Sequence, residues 1–125
     1  MISILIVGLG GFIGASSRYF IANFVQGNIP KTVFPFGTIA VNLIGCLLIG
    51  FLVGYLESKN LLTENVKLFL IIGILGGFTT FSAFGIETLN LVNKGHLLFA
   101  FNYVTASVVL GLGSVWFGHY LAKVF

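Results

Sequence analysis

The sequence predicts an all-α membrane protein with four transmembrane helices, and three observations lead to that fold class. Of its 125 residues, 58% are hydrophobic and only 7% are charged. Soluble domains carry about 25% charged residues, so this chain has too little polar surface for a water-soluble globule. Four apolar segments reach the roughly 20 residues that a transmembrane helix needs, and only short polar links separate them. Residues 1–125 are therefore expected to form a single transmembrane domain surrounded by lipid.

The polar links and two prolines define the limits of the spans. The first span begins almost at Met1 without a basic leader, and we expect it to be retained rather than cleaved. Pro30 and Pro35 mark the link before the second span, and Thr63 is predicted to cap the third. The spans are predicted at residues 2–23, 36–56, 66–91 and 97–122.

Positive charges are balanced across the predicted membrane. With four spans both termini lie on one side, and the basic residues divide equally between that side (Lys59, Lys67, Lys123) and the other (Arg18, Lys31, Lys94). The usual excess of Lys and Arg on the cytoplasmic side is thus absent. Two arrangements stay open: insertion in both orientations, with opposed copies paired as an antiparallel homodimer, or one topology set by a dominant residue. A scattered net charge of +3 does not suggest a nucleic-acid partner.

Glycines recur at intervals typical of helix packing. The stretch "IVGLGGFIG" has a spacing that departs from the dinucleotide-binding G-x-G-x-x-G, and no βαβ unit surrounds it. Small residues four apart let membrane helices approach closely, which is the interpretation we favour. Such pairs are Gly10/Gly14, Gly11/Ala15, Gly50/Gly54 and Gly73/Gly77.

Polar residues inside the spans are candidate functional residues because they are costly in hydrocarbon. Asn42 lies in the second span, one turn from Thr38, and either an interhelical hydrogen bond or a wet cavity would satisfy its amide. Glu87 lies well inside the third span, where an ionisable group marks a functional site by default, and no basic neighbour is evident as its partner.

Three further polar residues lie within or near the ends of the spans, namely Tyr103, Ser107 and Arg18. Tyr103 and Ser107 share one face of the fourth span, where hydroxyls either line a polar track or bond back to their own helix. Arg18, near the end of the first span, is expected to extend toward the membrane surface.

The stretch "GGFTTFSAF", residues 76–84, predicts a break in the third span. Glycine and threonine weaken a helix there, and irregular backbone at membrane depth is tolerated only inside protein or beside a cavity. Freed carbonyls can coordinate a small cation, and the new helix N-terminus favours anions. Phe81 and Phe84 fall on one helix face, so their positive ring edges could contact a small anion. Ordinary packing of these rings is the alternative.

Three stretches together resemble the Fluc/CrcB fluoride channel family. They are "GGFIGASSRY" (10–19), "GTIAVNLIG" (37–45) and "GGFTTFSAF" (76–84), one in each of the first three spans and in the order of that family. The resemblance extends over essentially the whole chain. It implies an antiparallel, dual-topology homodimer with two fluoride pathways and a buried sodium ion at the centre of the dimer interface.

The resemblance also implies roles for individual residues. The fluoride pathway would contain Phe81, Phe84, Asn42, Tyr103, Ser107, Ser82 and Thr80. The backbone carbonyls of Gly76 and Thr79, from both copies, would hold a structural Na⁺ ion. Arg18 would lie near the aqueous vestibule, and Glu87 would lie near one end of the polar track. One departure is Ala83, where many members have a threonine whose hydroxyl could line the track.

The function implied is a passive, fluoride-selective channel in a prokaryotic cytoplasmic membrane that lowers internal fluoride, with no catalysis. One rival is a small multidrug-type, proton-coupled exporter, which needs a carboxylate in its first span; the only charged side chain there is Arg18. A second rival is a non-transporting membrane scaffold. An intramembrane enzyme would need a nucleophile–base pair or a metal cluster, and neither is evident in the sequence.

Overall fold

A computed structural model describes all of residues 1–125 and contains helices and connecting segments only. The helices are α1 (Ile2–Gly27), α2 (Phe36–Ser58), α3 (64–78), α4 (Phe81–Asn93) and α5 (Leu97–Ala122). Together α3 and α4 make one span, Glu64–Asn93, so four spans are long and apolar enough to cross a membrane. The four predicted spans are confirmed, although the first three run a few residues beyond their predicted ends.

The third span begins at the predicted cap and then widens. The hydroxyl of Thr63 accepts a hydrogen bond of 3.3 Å from the backbone N–H of Val66, which confirms the predicted cap. Residues Lys67–Leu75 then form a π-helix before a last α-helical turn at Gly76–Phe78. Wide helical turns of this kind are rare and often occur near functional sites. Here they lead directly into the break between α3 and α4.

Glycines bring α1 against α3 at backbone distance. A Cβ added to Gly10 would lie 2.9 Å from the Cα of Gly73, and one added to Gly77 would lie 2.8 Å from the carbonyl oxygen of Gly11. A Cβ on Gly14 would overlap the carbonyl of Ile74. The predicted close approach of helices at these glycines is therefore confirmed, and it fixes the depth at which α3 ends.

A second glycine contact joins α2 to α5. A Cβ on Gly50 would overlap the carbonyl of Val115, and one on Gly118 would overlap that of Leu47. The largest fully buried side chains are Val41 of α2 and Tyr103 of α5. Large apolar side chains elsewhere on the helices are exposed, as expected for surfaces that face lipid or another protein.

Candidate functional site

The break in the third span is two residues long and extended. Thr79 (φ −83°, ψ 158°) and Thr80 (φ −149°, ψ 122°) both leave the helical region. The Thr80 hydroxyl then accepts a hydrogen bond of 3.2 Å from the N–H of Ala83 and so caps the N-terminus of α4. The hydroxyls of Thr80 and Ser82 lie 3.4 Å apart. The predicted break is therefore present in the structure, and its second threonine is the cap of the following helix.

Asn42 of α2 pairs with the backbone at the break. Its Nδ2 donates to the carbonyl oxygen of Thr80 at 2.9 Å, and its Oδ1 accepts from the N–H of Thr80 at 2.7 Å. In a continuous α-helix that N–H would instead donate to the carbonyl oxygen of Gly76. The interhelical hydrogen bond considered for Asn42 is thus observed, and it takes away the donor that the Gly76 carbonyl would otherwise have.

Arg18 reaches the same break from α1. Its Nη1 lies 3.4 Å from the carbonyl oxygen of Thr79, and its side chain is half-buried. The expectation that Arg18 extends toward the membrane surface is wrong. The guanidinium instead turns inward because a carbonyl without a helical partner is available to it there.

The oxygen atoms at the break have the chemistry that a sodium site would need. The carbonyls of Gly76 and Thr79 are hard oxygen ligands, and the first lacks its helical donor while the second accepts only the long contact from Arg18. Gly76 is exposed on the surface of the chain, and a Cβ there would meet nothing closer than the Ile71 carbonyl at 3.7 Å. No cluster of His, Cys, Asp or Glu could hold a metal ion anywhere in the chain. The two carbonyls are therefore chemically suited to a sodium ion. The sodium site itself stays a prediction.

The two phenylalanines after the break are neighbours on one face of α4. Their ring centroids are 5.5 Å apart with planes tilted by 44°. The ring of Phe84 also lies 5.1 Å from that of Tyr103, centroid to centroid. Phe81, in contrast, is 83% exposed and has no such anchor. Phe84 is thus held by its own chain, whereas Phe81 projects from it.

A groove of about 370 Å³ runs past the break along the surface of the chain. Its lining includes Asn42, Phe81, Phe84, Ser107 and Gly76, with Thr79, Thr80, Cys46 and apolar residues of α2, α3 and α5 completing it. The Oγ of Ser107 is buried and has no hydrogen-bond partner. A buried hydroxyl without a partner is costly, so this one is a donor available to a ligand in the groove.

Glu87 connects three helices two turns beyond the break. Its Oε1 accepts from the hydroxyl of Thr38 and its Oε2 from the hydroxyl of Tyr103, each at 2.7 Å. Tyr103 is completely buried, and its ring packs against Phe84 and, edge-on, against Phe34 at 5.5 Å. The partners of Glu87 are therefore hydroxyl groups of α2 and α5, not a basic side chain.

A second cavity, which we call the mouth cavity, opens beside Glu87. It measures about 280 Å³ and is lined by Thr32, Val33, Pro35, Glu87, Asn90, Leu91 and Lys94. The segment 28–35 forms one wall of it. Gln26 holds that segment, because its Oε1 accepts from the N–H of Gly37 at 3.0 Å and its Nε2 donates to the carbonyl of Phe34 at 3.3 Å.

Most of the predicted site residues line the groove or lie next to it, close to α4. The groove holds the break, the phenylalanines, Asn42 and Ser107, while the Glu87 network leads to the mouth cavity. Ser82 is exposed and does not line the groove. Sequence reasoning missed two residues: Gln26, for which no signal existed, and Thr38, whose position one turn from Asn42 was the available signal.

Comparisons of the sequence with known proteins give one consistent result. Residues 5–119 match the family described as "CrcB-like protein, Camphor Resistance (CrcB)". A Flavobacterium psychrophilum protein named "Fluoride-specific ion channel FluC" is 43% identical over 98% of both chains. Proteins of the same name from Helicobacter pylori (45% identical, 94% of this chain and 90% of the relative) and Methylobacillus flagellatus (40% identical, 98% and 96%) are similar to it.

Proposed function

The chain belongs to the CrcB-like family, and on that premise we propose that it is a fluoride-selective ion channel. The observation that carries this proposal is the line of groups along α4. Two aromatic rings, an unpartnered serine hydroxyl and the N-terminus of α4 all border one groove, which contains no basic lining residue. A groove of this kind offers partial positive charge from ring edges, a hydroxyl and a helix end, with no basic side chain in its lining, which suits a small anion in transit.

Selectivity would follow from how the groove replaces water. Fluoride is the smallest halide and accepts the strongest hydrogen bonds, so hydroxyl donors and the positive ring edges of phenylalanines compensate best for its lost hydration. The N-terminus of α4 adds a partial positive charge beside Thr80. The hydroxyls of Tyr103 and Thr38 are used by Glu87, so they connect that carboxyl group to the helices beside the aromatic pair. Larger halides gain less from the same contacts.

The channel is proposed to be a homodimer of antiparallel copies. The groove lies on the surface of the single chain, and an ion there would face lipid unless another protein surface covered it. Phe81 projects from the chain and Gly76 is exposed, so both are available to a second copy. The balanced basic residues on the two sides permit insertion in both orientations. Two such copies would enclose two equivalent grooves.

A sodium ion is proposed as the structural ion of that interface. The carbonyls of Gly76 and Thr79 are the ligands that this chain would contribute, and the second copy would contribute the same pair. Through its positive charge, such an ion would bind the carbonyls at the break of each copy and so hold the two copies together. In this chain, Asn42 keeps the Gly76 carbonyl free of its helical donor, and the absence of a side chain at Gly76 leaves the approach open.

The proposed setting is the cytoplasmic membrane of a prokaryote, with passive flow of fluoride out of the cell and no catalysis. The exporter alternative is not favoured, because the first span lacks the carboxylate on which proton exchange would depend. The scaffold alternative gives no reason for a groove that brings a buried serine hydroxyl without a partner together with the aromatic pair.

Proteoliposomes test the proposal. The purified protein, reconstituted into vesicles loaded with fluoride or with chloride, is followed by an ion-selective electrode after a potassium ionophore is added. We expect rapid fluoride efflux that requires the ionophore, with chloride retained. Equal loss of both halides would reject selectivity, and fluoride retention would reject the channel. Uptake of organic cations driven by a proton gradient would support the exporter instead.

A further inference from the structure

The mouth cavity contains one residue of each charge among its seven lining residues, Lys94 and Glu87. The others offer an amide, a hydroxyl and apolar surface. Each carboxyl oxygen of Glu87 lies 2.7 Å from a hydroxyl group, Oε1 from that of Thr38 and Oε2 from that of Tyr103. A negative charge on Glu87 would oppose the passage of an anion from the cavity toward the aromatic pair.

The end of α4 adds to that negative potential. The helix ends at Asn93, beside the same cavity, and a helix C-terminus carries a partial negative charge. Lys94 is the C-cap residue of this helix. A lysine at the end of the helix offsets the partial negative charge there, and Lys94 is the basic residue among those that line the cavity together with Glu87.

The backbone fixes Lys94 at this position. Gly95 has a φ of +80°, a left-handed conformation that glycine adopts easily. The N–H of Gly95 donates to the carbonyl of Val92 at 3.0 Å, and that of His96 to the carbonyl of Leu91 at 2.9 Å. These two bonds form a Schellman motif, which ends the helix and reverses the chain directly after Lys94. The backbone of Lys94 is thus fixed at the edge of the cavity, and its side chain is exposed.

We propose that the mouth cavity is the aqueous entrance at this end of the pathway, and that Lys94 is the charge that makes the Glu87 end passable to fluoride. The inference rests on the proposed function. Lys94 would raise the local concentration of anions and cancel the repulsion from Glu87, without forming part of the dehydrating passage. Its contribution is therefore to the rate of entry and not to the choice between halides.

Charge variants in proteoliposomes test this role. At low ionic strength we expect Lys94→Gln to lower the fluoride efflux rate by about tenfold, and Lys94→Glu to lower it further, while Lys94→Arg retains the rate. The matched control is Lys59→Gln, which removes one positive charge at the end of α2, away from the cavity. Fluoride over chloride selectivity is expected to stay unchanged in every active variant.

Two measurements separate an electrostatic role from a structural one. Adding Glu87→Gln to Lys94→Gln should restore efflux, because the charge that Lys94 offsets is then gone. Raising the ionic strength with an impermeant salt to about 1 M, where the screening length is roughly 3 Å, should close the gap between Lys94→Gln and the unmodified protein. If Glu87→Gln is itself inactive, the salt dependence decides alone.

The outcomes also separate this inference from the channel itself. Unchanged efflux in Lys94→Gln at low ionic strength, or a loss that high salt does not reduce, would overturn the role of Lys94 and leave the fluoride channel standing. Absence of fluoride efflux in the unmodified protein would instead remove the function on which the inference rests.

Discussion

The side-chain amide of Asn42 forms a two-way hydrogen-bonded pair with the backbone of Thr80, at 2.7 and 2.9 Å. This pair replaces the helical bond that would otherwise join Thr80 to Gly76. The break between α3 and α4 is therefore stabilised from α2, across a helix boundary. An amide is suited to this because it carries a donor and an acceptor side by side.

Replacing Asn42 by Ala should destabilise the break. Both polar groups of Thr80 would lose their partners, at a cost of about 1–3 kcal/mol for each unsatisfied buried group. We expect a lower midpoint of thermal unfolding in detergent and loss of fluoride efflux. The matched control is Asn102→Ala, because Asn102 lies exposed on α5 with no hydrogen bond from its side chain. Equal stability of the two variants would contradict the role of the pair.

Replacing Phe81 by Ile should cut fluoride efflux sharply while leaving the proposed dimer assembled. The ring is exposed on the single chain, so its removal costs little packing within the chain, whereas an aliphatic side chain has no positive ring edge to offer. Efflux from proteoliposomes and size-exclusion chromatography measure the two effects. Phe101→Ile, at another exposed phenylalanine, is the control. Near-normal efflux in Phe81→Ile would remove the role proposed for the ring.

Replacing Tyr103 by Phe should weaken the Glu87 network without opening a cavity. The ring contacts with Phe84 and Phe34 are kept, and the hydrogen bond to Glu87 is lost, which typically costs about 0.5–1.5 kcal/mol. Thr38→Val removes the other donor. Because the two hydroxyls bond the two oxygens of one carboxyl group, we expect their effects on unfolding to be non-additive in a double-mutant cycle. Strict additivity would indicate that the two bonds act independently.

Replacing Gly10 by Ala should destabilise the contact between α1 and α3. The added methyl would meet backbone atoms of Phe69 and Gly73, which cannot move as a flexible side chain can, and overpacking of this kind costs about 1–3 kcal/mol. Gly8→Ala, on the same helix, meets nothing within 4 Å and serves as the control. Thermal unfolding in detergent should separate the two variants. Similar midpoints would show that the helices can move apart without cost.

Replacing sodium by a larger cation throughout purification should reduce efflux or dissociate the dimer. The carbonyls of Gly76 and Thr79 would then lack the sodium ion that is proposed to hold the helix breaks of two copies together. The measurement is efflux after exchange into N-methyl-D-glucamine, followed by return of sodium to the same sample. Recovery on return identifies an ion effect and excludes irreversible unfolding. Full activity without sodium would reject the cation site.

The sequence predicts the fold of this protein well because lipid imposes strong and simple constraints. The spans follow from apolar length, and the break at Thr79–Thr80 follows from the weakness of glycine and threonine in a helix. The direction of Arg18 could not be predicted, because it depends on a carbonyl of a distant residue. The network of Glu87 likewise joins residues 49 and 16 positions away along the chain. Contacts of this kind arise from helix orientation, which a hydropathy pattern does not contain.

The wide turns at Lys67–Leu75 have a consequence for how the length of the chain can change. A deletion of one residue in an α-helix rotates every later side chain by about 100° relative to its neighbours. A π-helical stretch instead holds surplus chain, and can narrow to α-helical turns when a residue is lost. Among related sequences, single-residue gaps inside the membrane should therefore concentrate in this stretch, upstream of the two threonines, and leave the other spans uninterrupted.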